Sequence, residues 1–270
     1  MAQNGDAGAI LRSHFSAEGG VRRAFSQKVA DYVASRPDYP AALFKMLTDC
    51  CPPSENLTVA DVAAGTGLFT QGLLNFGYRV VAVEPNTEMR AAADQRLAGK
   101  ENYRSVGGSG EAMSLPPAYA QLITVAQAFH WFDAKRTRKE FRRVLTPQGQ
   151  VLLVWNDRVL DEPLHQALDA LFDEFGGAKR AALVAHESNR AGVVEFFAPT
   201  RPQEFFWPHS HQLNQEGLLA LVFSRSYMPA RRAEEGRHVE ARVREVFDRF
   251  AREGTIEVRY QTVAFLGRLI

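Results

Sequence analysis

Cysteine is scarce in this chain of 270 residues, which contains only Cys50 and Cys51. Adjacent thiols have the spacing of neither a disulfide framework nor a zinc site, so the pair is expected to be reduced, at the end of a helix. A charge excess of one sign is also missing. The 32 Lys and Arg stand against 31 Asp and Glu, a net charge of +1, and that balance excludes the domain-wide basic footprint of a nucleic-acid binder. No apolar run approaches the ~18 residues a membrane span requires. The first fifteen residues are rich in Gly and Ala and lack the apolar core of a secretory signal, so a cytoplasmic protein is expected. Internal repeats and low-complexity tracts are absent. What is present is ordinary for a protein with a sizeable core, 46% hydrophobic and 23% charged. The length suits one large α/β domain, or one with an elaborated lid.

Hydrophobic patterning divides the chain into three stretches. Residues 1–55 read as an N-terminal helical cap, with two helices between 21 and 51 separated by the breaker Arg36-Pro37-Asp38-Tyr39-Pro40. Residues 56–158 alternate strand and helix. Strands are expected at 57–62, 79–83, 103–106, 122–126 and 150–155, and helices at 68–76, 87–97 and 134–145. The strand at 150–155 is apolar on both faces, as in a parallel sheet covered on both sides. Residues 159–270 change rhythm, with a helix at 160–175, an undecided stretch to about 199 and an alternating strand at 204–213. Helices at 215–223 and 233–252 and a β-rich end at 255–269 follow. The expected fold is a Rossmann-like, seven-stranded, mostly parallel sheet with helices on both faces. The third stretch would add substrate-side helices, inserted before the last strand of the same domain.

The strongest local signal is the strand at 57–62 running into Asp61-Val62-Ala63-Ala64-Gly65-Thr66-Gly67 and then a helix. Glycines there open backbone angles closed to other residues and let a ligand approach the main chain. The following helix points free N–H groups and its positive dipole end at the same place. Two cofactor classes use such a turn. The dinucleotide fingerprint requires a third glycine, and that position is Thr70. Glu84, at the end of the second strand, could hold a ribose diol in either class. Asp61 separates the two, because a carboxylate there would repel a pyrophosphate and suits a ligand bearing an ammonium group.

Three segments, Asp61-x-x-x-Gly65-Thr66-Gly67, Val81-Ala82-Val83-Glu84-Pro85-Asn86 and Arg143-Val144-Leu145-Thr146-Pro147-Gln148-Gly149, resemble motifs of class I S-adenosylmethionine-dependent methyltransferases. Gln127-Ala128-Phe129-His130-Trp131-Phe132-Asp133, with Arg36-Pro37-x-Tyr39-Pro40 and Ser224-Arg225-Ser226-Tyr227, resembles the branch that includes trans-aconitate methyltransferase. Ala63 departs from the pattern, standing where the family usually has its first glycine.

The resemblance implies S-adenosyl-L-methionine as cofactor. It places Asp61 near the methionine amino group, Ala63, Gly65, Thr66 and Gly67 along the backbone approach, and Glu84 and Pro85 at the ribose. Met89 would pack on the adenine or simply fill the interior. Glu111 and Ala112 would meet the adenine edge unless Glu111 is a solvated loop acid. Gln127 would complete the cofactor site. On the acceptor side stand Tyr32, Arg36, Tyr39, His130, Trp131 and Arg225. His130 could act as a general base, although transfer to a carboxylate needs none and a binding wall is the simpler role. Arg36, Arg225 and Arg231 could pair with an anionic acceptor. The run Lys135-Arg136-Thr137-Arg138-Lys139 reads as a solvated helix face, and His209 with His211 lacks a third metal ligand. The expected partner is a small-molecule acceptor, with a carboxylic acid as the candidate class, and with no nucleic acid, membrane or metal, and the protein a monomer or homodimer. A nicotinamide oxidoreductase, an RNA or protein methyltransferase and a catalytically silent cofactor binder remain open at this level.

Overall fold

A computed structural model describes Lys28, Asp31, Val33 and residues 35–187 and 191–270. The first of the two early helices therefore lies mostly outside the described residues, and Tyr32 is among those outside. The described chain begins with α1 (Ala41–Cys50), whose last residue is one of the two free cysteines. Then come β1 (Thr58–Val62), α2 (Leu68–Asn75), β2 (Arg79–Val83), α3 (Thr87–Arg96), β3 (Tyr103–Val106), β4 (Ala120–Ala126), α4 (Ala134–Val144) and β5 (Leu145–Arg158). The remainder is α5 (Pro163–Glu187), α6 (Ala191–Phe197), β6 (Gln203–Leu213), α7 (Gln215–Phe223), α8 (Glu234–Phe250) and β7 (Ile256–Gly267).

The strands form one seven-stranded sheet in the order β3-β2-β1-β4-β5-β7-β6. The five strands from β3 to β5 are parallel, and β7 and β6 finish the sheet antiparallel. The expected Rossmann-like sheet is thus present. Reversal between β1 and β4 leaves a crevice outside their carboxyl ends, where open α/β sheets bind ligands.

Each face of the sheet carries its own core. On one, Leu43, Phe44 and Leu47 of α1 and Phe69 and Leu73 of α2 cover Val59, Leu122, Leu152 and Leu266. Gly72 makes that packing possible, since a Cβ there would lie 2.1 Å from the Phe44 ring. On the other, Phe141 and Val144 of α4 and Phe196 and Phe197 of α6 cover Val62, Ile123, Leu153 and Phe265. A third cluster lies where β6 and β7 extend past the sheet under α5, α7 and α8. In α8 the buried Val239, Val243, Val246 and Phe247 follow helical spacing. Buried residues run continuously from Leu218 to Phe223 in α7, as expected of a helix enclosed on all sides.

Three boundaries differ from the sequence reading. β5 begins at once after α4, because Leu145 pairs with Ala120 before residues 146–149 bulge out and Gln150 resumes against Leu122. The helix expected at 160–175 continues as α5 to Glu187, interrupted at Gly177, where φ is 51° and ψ −144°. The undecided stretch also holds α6. No helix among the described residues is long and apolar enough to cross a membrane.

Candidate active site

Asp61 sits at the carboxyl end of β1 and is 1% exposed. Its carboxylate accepts hydrogen bonds from the Thr70 hydroxyl of α2 at 2.5 Å and the Thr124 hydroxyl of β4 at 2.7 Å. Burial drives the Asp61 pKa up to about 6, against the pull of these two hydrogen bonds, and the Glu84 charge adds to the rise. Thr70 stands at the position a dinucleotide site gives to its third glycine. Here it serves the carboxylate instead. Neither threonine was singled out from sequence as a site residue, and Thr124 lies 63 positions from the acid it supports.

Glu84, 5% exposed at the end of β2, joins two loops. One carboxylate oxygen accepts from the Gly65 N–H at 2.9 Å and the other from the Asn86 N–H at 2.8 Å. The Asn86 side chain in turn caps α3 by accepting from the Met89 N–H. Met89 is buried, and its sulfur would lie 3.9 Å from a Cβ placed on Gly65. A Cβ on Gly67 would instead lie 3.1 Å from Ala93 and 3.0 Å from Leu97, so that glycine lets α3 pack closely behind the turn. Pro85 is half-buried between Glu84 and the α3 cap.

The backbone of the turn is left-handed at Ala63, Gly65 and Gly67, with φ of 55°, 58° and 78°. Gln127, just past β4, is left-handed as well (φ 61°) and donates its N–H to the Val154 carbonyl. For side-chain-bearing residues such angles cost of order 1–3 kcal/mol each, and Ala63 and Gln127 both line one cleft. Asp61, Gly65 and Thr66 complete its floor, with Leu68 and Phe69 behind.

Arg36, Pro37 and Tyr39 form a further part of the cleft wall. Tyr39 sets its ring edge-on to Phe69 at 4.8 Å. The segment carrying them is fastened to the antiparallel side of the sheet. His209 meets the Asp38 carboxylate at 3.0 Å, His211 faces the Ser35 carbonyl at 3.2 Å, and the Asn156 amide donates to the Asp38 carbonyl. The histidines that alternate along β6 thus hold this wall in place.

The other sequence candidates lie outside the lining of this cleft. Glu111 accepts from the Asp133 N–H at 3.0 Å, and Ala112 pairs with Ser109 across the same turn. His130 and Trp131 lie on the single 3₁₀ turn Phe129–Trp131, their rings 5.1 Å apart. Arg225 places its guanidinium 5.7 Å from the Phe172 ring. Arg231 pairs with Glu216 at 2.7 Å and Asp31 at 3.7 Å. In the basic run of α4, Arg138 donates to the carbonyls of Phe196, Ala198 and Ile270, while Thr137 and Phe141 turn inward.

Two buried carboxylates at the ends of adjacent parallel strands, beside a left-handed turn, define a Rossmann-like site for a ligand that carries a cation and hydrogen-bond donors. Residues 60–153 match the methyltransferase domain family. An uncharacterized methyltransferase of Mycobacterium tuberculosis is 34% identical over 209 residues, 75% of this chain and 76% of that protein. An uncharacterized methyltransferase-like protein of Schizosaccharomyces pombe is 29% identical over 247 residues, 90% and 94% of the two chains. A solved chain from Anaeromyxobacter dehalogenans, named as a type II methyltransferase, shares the fold at TM-score 0.60 and 24% identity, covering 86% of this chain and 97% of that one. The chain belongs to the S-adenosylmethionine-dependent methyltransferases of class I fold.

Its cofactor is S-adenosyl-L-methionine, and the residues present fit it. Asp61 is an anion suited to the ammonium group of the cofactor's amino acid end, and the Glu84 carboxylate has acceptors suited to a ribose diol. A dinucleotide would bring its pyrophosphate against the same Asp61 charge.

Proposed function

We propose that the protein transfers a methyl group directly and in line to an oxygen or nitrogen of a small-molecule acceptor, with carboxylic acids as the leading class. The observation that carries this reading is that Arg36 and Tyr39 line the same cleft as Asp61 and Gln127. An arginine and a tyrosine thus share the cleft with the Asp61 carboxylate. The cofactor supplies an electrophilic methyl on a sulfonium. The acceptor's lone pair forms the new bond to carbon as the carbon–sulfur bond breaks, and that electron pair stays on sulfur. Asp61 holds the donor's ammonium, Glu84 its ribose, and the Ala63–Thr66 backbone fixes its approach. Arg36 and Tyr39 exclude water and orient the acceptor. Alignment and dehydration of this kind supply several orders of magnitude in rate.

A carboxylate acceptor is nucleophilic as it stands, so no base is required of His130; with Trp131 it is assigned to a binding wall beyond the cleft lined by Asp61 and Gln127. Met89, Glu111 and Ala112 are assigned to the adenine end, and Arg225 to the acceptor. The 127–133 segment supports a place in the branch resembling trans-aconitate methyltransferase. The near-neutral charge and the solvated face of α4 support a small acceptor over RNA, and a cytoplasmic monomer or homodimer suits it. The test is mass spectrometry of small-molecule pools incubated with protein and isotope-labelled cofactor. A labelled acid is the expected product. Label found only in RNA or protein, or cofactor binding with no labelled product, would sink the reading.

A further inference from the structure

Beyond the cofactor cleft, the Tyr260 hydroxyl is buried and, among the described residues, has no hydrogen-bond partner. Tyr260 lies on β7 and is 3% exposed. A buried polar group left in that state is destabilising. Around it the structure gathers guanidinium groups. Arg158 is the direct cross-strand neighbour of Tyr260. The positive charges of Arg225, Arg36 and Arg158 all act on the hydroxyl. Arg158, Arg180 and Arg225 stand 5.5, 5.5 and 5.7 Å from the ring of the fully buried Phe172. Asp169 accepts from both Arg158 and Arg180, and Asp173 from Arg180. One Arg180 nitrogen, Nη1, is nevertheless buried without a partner among the described residues.

Register places this cluster relative to the cofactor. Asp61 aligns with Thr124, Thr124 with Leu152, and β5 then carries Val154, Asn156 and Arg158 on the same face at alternate positions. Asn156 pairs with Thr262 and Arg158 with Tyr260. One face of the sheet therefore leads from the acid of the cofactor turn, past the strand ends, to the Tyr260 hydroxyl. Arg36 belongs to both places, since it lines the cleft and its charge reaches Tyr260.

We propose that Tyr260, Arg158, Arg225 and Arg36 form an oxyanion-binding subsite that holds an acidic group of the methyl acceptor, a carboxylate or a phosphate. A phenol donates one hydrogen bond and guanidinium groups donate in pairs to either anion. An anion at this point would accept from the hydroxyl and from the guanidinium groups beside it. The assignment rests on the small-molecule reading and deepens it, by stating which chemical group the acceptor presents and which residues meet it.

The test uses the full chain saturated with S-adenosylhomocysteine, titrated calorimetrically with unbranched dicarboxylates of four to eight carbons, with their neutral diamides and with inorganic phosphate. The expected result is that a dicarboxylate or phosphate binds at least about tenfold more tightly than any diamide. Tyr260→Phe should weaken that binding by about tenfold, the worth of one hydrogen bond to a charged group, and leave S-adenosylhomocysteine affinity unchanged. Dicarboxylates binding ahead of phosphate would identify a carboxylic acid acceptor, and the reverse order a phosphorylated one. The subsite is overturned if diamides bind as well as the anions, or if Tyr260→Phe binds the anion like wild type. Arg158→Gln should weaken the anion more. Because it also loses the Asp169 contact, Tyr260→Phe, which removes only the unsatisfied oxygen, decides the matter if Arg158→Gln does not fold. Labelled product read in parallel separates the two levels. Transfer to a neutral acceptor at equal rates by wild type and Tyr260→Phe overturns the subsite and leaves methyl transfer standing. Selective anion binding with no labelled product from any small molecule does the opposite.

Discussion

The two ends of the reaction space are built from opposite materials. At the cofactor end, two buried carboxylates are held by backbone N–H groups and threonine hydroxyls, beside a turn that is left-handed even where it has no glycine. At the end proposed for the acceptor, guanidinium groups stand around Phe172 and Tyr260. A cationic donor would meet negative charge on one side, and the anionic acceptor proposed above would meet positive charge on the other. The first end depends on local chain geometry, which tolerates little change. The second depends on side chains supplied by several elements.

Glu84→Ala should have the largest effect, because the carboxylate holds two loops and is the residue assigned to the ribose. One buried and one part-buried backbone N–H would lose their acceptor, costing about 2–4 kcal/mol of stability. Cofactor affinity should fall by about a hundredfold. Unchanged affinity by calorimetry would break the comparison at its firmest point.

Asp61→Asn should separate binding from stability. The folded-state pKa of Asp61 is raised to about 6, so its proton-linked contribution to stability is present at low pH and lost as pH rises through about 6. At pH 7.5 the protein carries a buried charge whose removal should stabilise the ligand-free chain by roughly 1–3 kcal/mol. Cofactor affinity should nevertheless drop at least about tenfold, since the ammonium loses its counter-charge. Thermal denaturation and calorimetry on the same sample check both signs.

The same acid sets a pH dependence. S-adenosylmethionine should bind more weakly as pH falls through about 6 and Asp61 takes up its proton. Thr124→Val removes one hydrogen bond that opposes this rise, so its midpoint should move to higher pH. A midpoint that stays put would show that Asp61 does not govern binding.

The smallest effect belongs to the backbone. Ala63→Gly should stabilise the chain by about 0.5–1 kcal/mol in thermal denaturation, because a φ of 55° is free for glycine and strained for alanine.

The contrast also explains what the sequence disclosed. The parallel core and the Asp61–Gly67 turn were legible because their signals are local. Apolar strands alternate with helices, and glycines at fixed spacing precede an acid at the next strand end. Thr70 was noted only as a missing glycine, since its bond to Asp61 exists only once α2 folds back over β1. Arg158, Phe172, Arg180 and Tyr260 carry no motif. They are brought together by β5 pairing with β7 and by α5 packing beneath α7 and α8, and each alone reads as an ordinary charged or aromatic residue. The pairing of His209 with Asp38 was hidden for the same reason, 171 positions separating the two. The Gly177 interruption in α5 blurred the helical period just where the stretch to 199 could not be assigned.

The most direct test of the cofactor site is a calorimetric titration of the full chain with S-adenosylmethionine and, separately, with NADH, on wild type and Glu84→Ala. The expected result is one S-adenosylmethionine bound per chain, no NADH bound, and a loss of about a hundredfold in affinity in the variant. Tight NADH binding, or equal S-adenosylmethionine affinity in both proteins, would contradict it.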